Sequence, residues 1–409
     1  MATSMKAFLV LGILLAIQSL VSLRDGFRFL RYVRHCLGNP PGNYLPRAAV
    51  ILPCKGLDDG FDANVVSYMT QDYPHYQLIF ALASEQDPAW DRLTELTGRR
   101  PAASPAAGPH VALVAAGYSD GRGEKVNNLL RGVEAVAPQT EVLVFADADA
   151  RPKADWLRSL VAPLADPGVT VSTGFRWYLP GDTFASRLRA AWDTSIATML
   201  GDHDRSNIAW GGSMAVRAEE FRRLRVAEAY WARTASDDYA VTRAVRDAGG
   251  RIHFQPRCLV ASREESTIGA FLHWANRQII LTRVYAARLW LLGLASCLLY
   301  CGTFVLGLVL LAAPSSSPTV RLLAATVLGM ILALGIAKAR IRAIVAREVF
   351  PEESQSLRRH GSCYWRLAPL VPWVMLVNFI TAALTRHIEW RGVHYYLRSA
   401  NEVRVLKRD

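Results

Sequence analysis

Hydrophobic positions fall into two patterns along this chain. In four stretches, about Ala7 to Leu23, Leu289 to Ala313, Leu322 to Ala337 and Leu367 to Leu384, they run almost unbroken. Between about Ala48 and Arg283 they come instead in short runs separated by polar and turn-forming residues. The long runs approach the roughly 20 apolar residues that cross a bilayer as a helix. The first is followed by Arg24, Arg28, Arg31 and Arg34 and preceded only by Lys6. A cleaved signal carries its charge before the apolar core, so this run reads as an anchor that leaves Arg24 onward in the cytoplasm.

The last run contains Pro369 and Pro372 and has basic residues on both flanks, Arg358, Arg359 and Arg366 before it and Arg386, Arg391 and Arg398 after it. One full crossing cannot keep both flanks inside, so a re-entrant or interfacial segment is expected, with the tail back at the cytoplasmic face. A fourth span with an external tail is the competing reading. The mixed apolar and basic stretch 338–366 suits a helix lying in the headgroups, or a solvated basic linker. The expected organisation is an anchor over 1–24, a cytoplasmic domain over 25–285 and a membrane region over 286–409.

Within the globular stretch, Ala48–Pro53, Gln77–Ala83, His110–Ala115 and the run from Val142 read as strands. Asn64–Thr70, Pro88–Gly98 and Lys125–Ala137 read as helices, and Pro101–Pro109 as a surface loop. Strands alternating with helices through short connections predict an α/β fold with a Rossmann-like, mostly parallel sheet. Such sheets bind ligands beyond the carboxyl ends of their strands. Four polar features fall there: Lys55–Asp58, Glu85–Asp87, Gly121–Lys125 and Asp147–Asp149.

Charge narrows the partners. The 409 residues carry a net charge of +12 and are 51% hydrophobic. Basic chains bind nucleic acid, anionic membrane or anionic substrate. Here the basic residues cluster beside apolar runs, which favours the last two and speaks against nucleic acid. The six cysteines are scattered without CxxC spacing, so neither a disulfide framework nor a zinc site is expected.

The sharpest chemistry lies in Val142-Leu143-Val144-Phe145-Ala146-Asp147-Ala148-Asp149. Carboxylates at i and i+2 of an extended chain point to one face. They repel each other there, and a divalent cation relieves that repulsion. Oxygen ligands without His or Cys favour Mg²⁺ or Mn²⁺. A solvated loop start after an ordinary strand is the plainer alternative. Gly121-Arg122-Gly123-Glu124-Lys125 offers close backbone approach, a helix N-terminus and a cation, which suits nucleotide or phosphate recognition. It lacks the spacing of a P-loop and reads equally as a glycine turn with a solvated lysine.

Taken in order, these motifs with Ser84-Glu85-Gln86-Asp87-Pro88, Trp210-Gly211-Gly212-Ser213-Met214, Ser236-Asp237-Asp238-Tyr239, His273-Trp274-Ala275-Asn276-Arg277-Gln278 and Trp390-Arg391-Gly392-Val393-His394-Tyr395 resemble the membrane-bound family-two glycosyltransferases of GT-A fold, most closely the ceramide glucosyltransferase branch. The resemblance implies that Asp87 contacts the uracil or ribose of a UDP-sugar and that Lys125 recognises the nucleotide. It places Asp147 and Asp149 on Mg²⁺ or Mn²⁺, with Asp147 also facing the donor. Asp238 takes the role of general base, and Arg277 offsets charge on the leaving diphosphate. Gln278 stands where the family has Trp, which weakens a processive reading.

The expected activity is therefore inverting transfer of a hexose from a UDP-sugar to a membrane lipid hydroxyl, with a ceramide-like acceptor favoured. The alternatives are a processive polysaccharide synthase and a membrane protein that binds UDP-sugar without catalysis.

Overall fold

The computed structural model describes residues 2–98 and 109–409, so the loop expected over Pro101–Pro109 lies outside them except for its last residue. The chain forms two compact units. One comprises His35–Trp177, Leu200–Ser262 and Arg386–Asp409, the other Met1–Arg34, Tyr178–Met199 and Arg263–Thr385.

The first unit is built on β1 (Ala48–Pro53), β2 (Tyr76–Leu82), β3 (His110–Ala115), β4 (Val142–Ala146), β5 (Val169–Tyr178), β6 (Ser213–Arg217) and β7 (Arg251–Ser262). Among the described residues these make one sheet in the order β3-β2-β1-β4-β6-β5-β7. The first four are parallel, with Ile51 opposite both Ile79 and Phe145. β6 runs antiparallel to β4, setting Ala146 opposite Ser213. This is the expected α/β class with a mostly parallel core.

β1 and β4 are apolar throughout because both faces of the sheet are covered. Successive residues feed two cores. Val50, Leu52 and Val144 pack with Tyr68 and Trp156 on one side, while Ile51 and Phe145 pack with Leu129, Trp231 and Val241 on the other. Each such fully buried side chain contributes about 1.5–3 kcal/mol. The resulting rigidity matters at the strand ends, where the polar features emerge.

The tail adds a second, antiparallel sheet from β8 (His387–Trp390), β9 (Val393–Ser399) and β10 (Glu402–Arg408). It is fastened to the glycine-rich segment before the helix Glu124–Glu134. Val405 N–H donates to Asp120 O at 3.3 Å, the Arg408 guanidinium to Asp120 Oδ1 at 2.9 Å, and Glu124 N–H to the Tyr395 hydroxyl at 3.1 Å.

The second unit is helical. Among the described residues, three helices are long and apolar enough to cross a membrane: Ser4–Gly38, Ala287–Ala312 and Pro318–Val349. Phe8 and Leu15 of the first pack with Phe304, Leu310, Leu328 and Ile331. The Pro-containing helix Val371–Leu384 has 14 residues, short of a full span if straight. One expectation is corrected here. No separate helix begins at Lys338. The helix from Pro318 continues to Val349, because no Gly or Pro interrupts 337–349, and Pro351 then ends it. Among the described residues up to Arg366, the α-helices that follow are short, Ser354–His360 and Cys363–Arg366.

Candidate active site

β4 ends at Ala146 and delivers Asp147 and Asp149 to the carboxyl rim of the sheet. Their turn is fixed by the Tyr68 hydroxyl, which donates to Asp147 O at 2.8 Å, and by Ala150 N–H, which donates to the same oxygen at 3.2 Å. From this rim extends an alternating series of charges. Asp237 Oδ2 lies 3.2 Å from Lys125 Nζ, and Lys125 Nζ lies 2.7 Å from Asp147 Oδ1. Arg176 Nη2 sits 3.1 Å from Asp147 Oδ2 and also pairs with Asp149 Oδ1. Arg391 Nη2 lies 3.4 Å from Asp149 Oδ2 and 2.9 Å from Asp58 Oδ2. Every cation bridges two carboxylates, and a carboxylate closes the series at each end. The cluster therefore holds one negative charge more than its cations offset.

Two glycines make this approach possible. A Cβ on Gly211 would overlap the Asp237 carboxylate, and one on Gly212 would overlap Asp147 Oδ2 and the Trp210 ring. Arg176 is further held by the face of Trp210, 5.4 Å away. Trp390 lies beneath Lys125, its ring centre 5.8 Å from Nζ. Lys125, Asp147, Asp149, Trp390 and Arg391 line one pocket together with Lys55, Asp58 and Tyr395.

Electrostatics follow from this order. Burial would raise the Asp149 carboxyl, but Arg176, Arg391 and Lys125 hold it down at about 2. Burial pushes Asp237 up to about 6 against the pull of Lys125, with Asp238 and Asp147 adding repulsion. Burial would lower Lys125, yet Asp147 and Asp237 keep it above the usual lysine range.

The expected site residues fall in four places. Asp147, Asp149 and Lys125 come together in the pocket. Asp238 adjoins them, half-buried at the start of the helix Asp237–Asp247, where its Oδ1 accepts from Tyr239 N–H at 2.7 Å and from the Ser236 hydroxyl. Asp87 stands one step back: it accepts from Gly56 N–H at 2.9 Å and Ala89 N–H at 2.9 Å, and so braces the Lys55–Gly56 turn that lines the pocket. Arg277 belongs to the helical unit, half-buried on the helix Ile268–Tyr285.

Four members of the series, Arg176, Asp237, Arg391 and Asp58, were given no site role from the sequence. Arg176 interrupts the otherwise uncharged strand Val169–Tyr178, and a lone charge in such a run was the available signal. Asp237, beside the expected base, is the more deeply buried of the pair and the one that anchors Lys125.

The carboxylates fit a divalent cation. Asp147 Oδ2 and Asp149 Oδ1 converge on a single positive nitrogen, Arg176 Nη2, which already occupies a bridging cation's position. All-oxygen donors at that point suit a hard ion.

The α/β domain thus carries an acidic, cation-bridged rim at the carboxyl end of its strands, where such sheets bind ligands. The chain belongs to glycosyl transferase family 21, whose model matches residues 10–403. It is a glycosyltransferase with a seven-stranded, mostly parallel sheet and apolar helices long enough to cross a membrane. Among solved structures it is similar to the mannosyltransferase PcManGT from Pyrobaculum calidifontis in complex with GDP-Man and Mn²⁺. That similarity has 17% identity, covers 91% of this chain and 98% of that one, and gives a TM-score of 0.46. It is also similar to glucosyl-3-phosphoglycerate synthase from Mycobacterium tuberculosis in complex with Mn²⁺, UDP-glucose and glycerol 3-phosphate, with 16% identity, 58% and 80% coverage and a TM-score of 0.36.

Proposed function

We propose that this protein transfers a hexose from a UDP-sugar, with inversion, to the hydroxyl of a membrane lipid at the cytoplasmic face, a ceramide-like acceptor being favoured. The observation that carries the reading is the alternating charge series at the sheet rim, which has one uncompensated carboxylate and a bridging-cation position between Asp147 and Asp149. Asp147 and Asp149 would hold Mg²⁺ or Mn²⁺, which when bound neutralises the donor's diphosphate.

The remaining work falls to the chain's own side chains. Lys125, buried and charged, binds the anionic nucleotide. Asp87, given contact with the uracil or ribose by the resemblance alone, also braces the Lys55–Gly56 turn. Asp238, partly open to solvent, accepts the acceptor hydroxyl's proton as its oxygen attacks the anomeric carbon. The bond to the UDP oxygen breaks as the glycosidic bond forms, so an α-linked donor gives a β-glycoside. For Arg277, a role in offsetting charge on departing UDP rests on the resemblance alone. The three long apolar helices support a multi-pass membrane protein, with the acceptor drawn from the bilayer.

The test supplies membranes containing the protein with labelled UDP-glucose, UDP-galactose and UDP-GlcNAc, then extracts and identifies the product. We expect label in an organic-soluble, low-mass lipid, lost with EDTA, restored by Mn²⁺ and abolished in Asp238→Asn. Label in polymer would replace this reading with a processive synthase. Nucleotide-sugar binding without product would replace it with a non-catalytic binder.

A further inference from the structure

We infer that the C-terminal hairpin is a lid of the donor pocket, and that Arg391 at its tip binds the donor's diphosphate. This rests on the proposed donor class but not on any particular sugar or acceptor. β8 and β9 are joined by a two-residue turn, Arg391-Gly392, closed by the pair Trp390 and Val393. Both turn residues have positive φ, 49° for Arg391 and 72° for Gly392. Such a turn favours Asn or Asp before Gly, because other side chains meet the backbone in this conformation. An arginine there is unfavourable for the hairpin alone, and a local strain of this kind points to use elsewhere.

The guanidinium shows where. Nη1 donates to Lys55 O at 2.8 Å, and Nη2 is divided between Asp58 at 2.9 Å and Asp149 at 3.4 Å. The hairpin does not need these contacts for its position. Tyr395 holds it to Glu124, Arg408 to Ser119 and Asp120, and Asn401 accepts from Arg243 at 2.6 Å. Arg391 is thus a turn residue fixed over the pocket by other anchors, with its long arm on a carboxylate suited to a metal. Once a divalent cation draws on Asp149, that arm loses one of its two carboxylates and keeps Asp58. A planar fork of donors beside a bound cation matches the oxygens of a diphosphate. Lys125, with Trp390 beneath it, faces the same space and supplies the second positive wall.

The experiment uses the full chain in detergent micelles and titrates Mn²⁺ alone, then UDP and inorganic diphosphate in the presence of Mn²⁺. The proteins are wild type, Arg391→Ala and Arg391→Lys. Arg391→Ala should weaken UDP binding by about tenfold or more, the usual size of a lost charge-assisted hydrogen bond. The same variant should bind Mn²⁺ alone more tightly, because a competing cation has left Asp149. Arg391→Lys, which keeps the charge but not the fork, should fall between in UDP binding.

Opposite movement of the two affinities separates a binding role from a structural one, which would weaken both. Unchanged UDP affinity in Arg391→Ala, or parallel loss of both affinities in Arg391→Ala and Arg391→Lys, overturns the inference. A wild-type chain that ignores UDP yet binds inorganic diphosphate through Arg391 would overturn the donor assignment and support the lid.

Discussion

Arg176 and Arg189 are almost equally buried, 8% and 6% exposed, yet their surroundings differ in kind. Arg189, in the helical unit, donates to Glu264 at 2.6 Å and to the Tyr178 hydroxyl at 2.6 Å, and its guanidinium lies 4.0 Å from the Tyr178 ring centre and 4.4 Å from that of Trp274. It has one carboxylate, and two aromatic faces cover its flat sides. Arg176, in the α/β unit, is shared between two carboxylates that are themselves shared with Lys125 and Arg391. The first arrangement is balanced and belongs to the fold. The second carries surplus negative charge that a further cation would relieve. Burial alone would not have told them apart, but the ratio of carboxylates to cations does.

Three measurements press on this contrast. The largest effect is expected at the surplus end. Asp149→Asn should lower transfer activity by about a hundredfold or more, since a metal-held charge in a closed site is worth several kcal/mol. Thermal stability should change little, because Arg176 keeps Asp147 and Arg391 keeps Asp58. Activity near wild type would mean that the rim carboxylates, like those of the helical unit, serve only the fold.

Arg189→Ala should do the reverse. It leaves Glu264 without its guanidinium and empties the space between two aromatic rings, at a cost of about 2–3 kcal/mol, toward the low end because Glu264 is partly exposed. Thermal unfolding should register that loss while UDP affinity stays unchanged. A fall in affinity without loss of stability would place Arg189 in a binding role.

The smallest effect concerns pH. Asp237 releases its proton near pH 6 in the folded protein, above the ~4 of an unfolded aspartate. Between these values the folded state holds more protons than the unfolded one, so this residue's contribution to stability falls as pH rises from about 4 to 6. Asp237→Asn removes that slope. The stability of wild type relative to the variant should decline by about 1–3 kcal/mol over this interval, as followed by denaturant unfolding. A constant difference would mean that Lys125 fully compensates Asp237.

Much of the α/β unit was legible because the strands Ala48–Pro53 and His110–Ala115 and the helix Pro88–Gly98 are short, patterned and bounded by turn residues. The acidic pair after Val142–Ala146 was legible for the same reason: a buried strand gives its end a definite direction. Arg176 was not, because its importance lies in its long-range neighbours and not in any local spacing. Asp237 and Asp238 are adjacent in sequence, and only the depth at which the loop enters the sheet rim distinguishes them. The continuation of the helix from Pro318 to Val349 was missed because basic residues after Ala337 suggested a change of environment, although nothing in the backbone required one.

The hairpin over the pocket also bears on biosynthesis. Its residues follow the whole helical region in the chain, yet they complete a wall whose other parts lie before residue 150. A ribosome must therefore deliver every candidate membrane helix before the pocket can close, and domains made of distant segments assemble late. Partly made copies would hold the acidic rim without its cover, so the pocket would be complete only after the last of the apolar helices has been made.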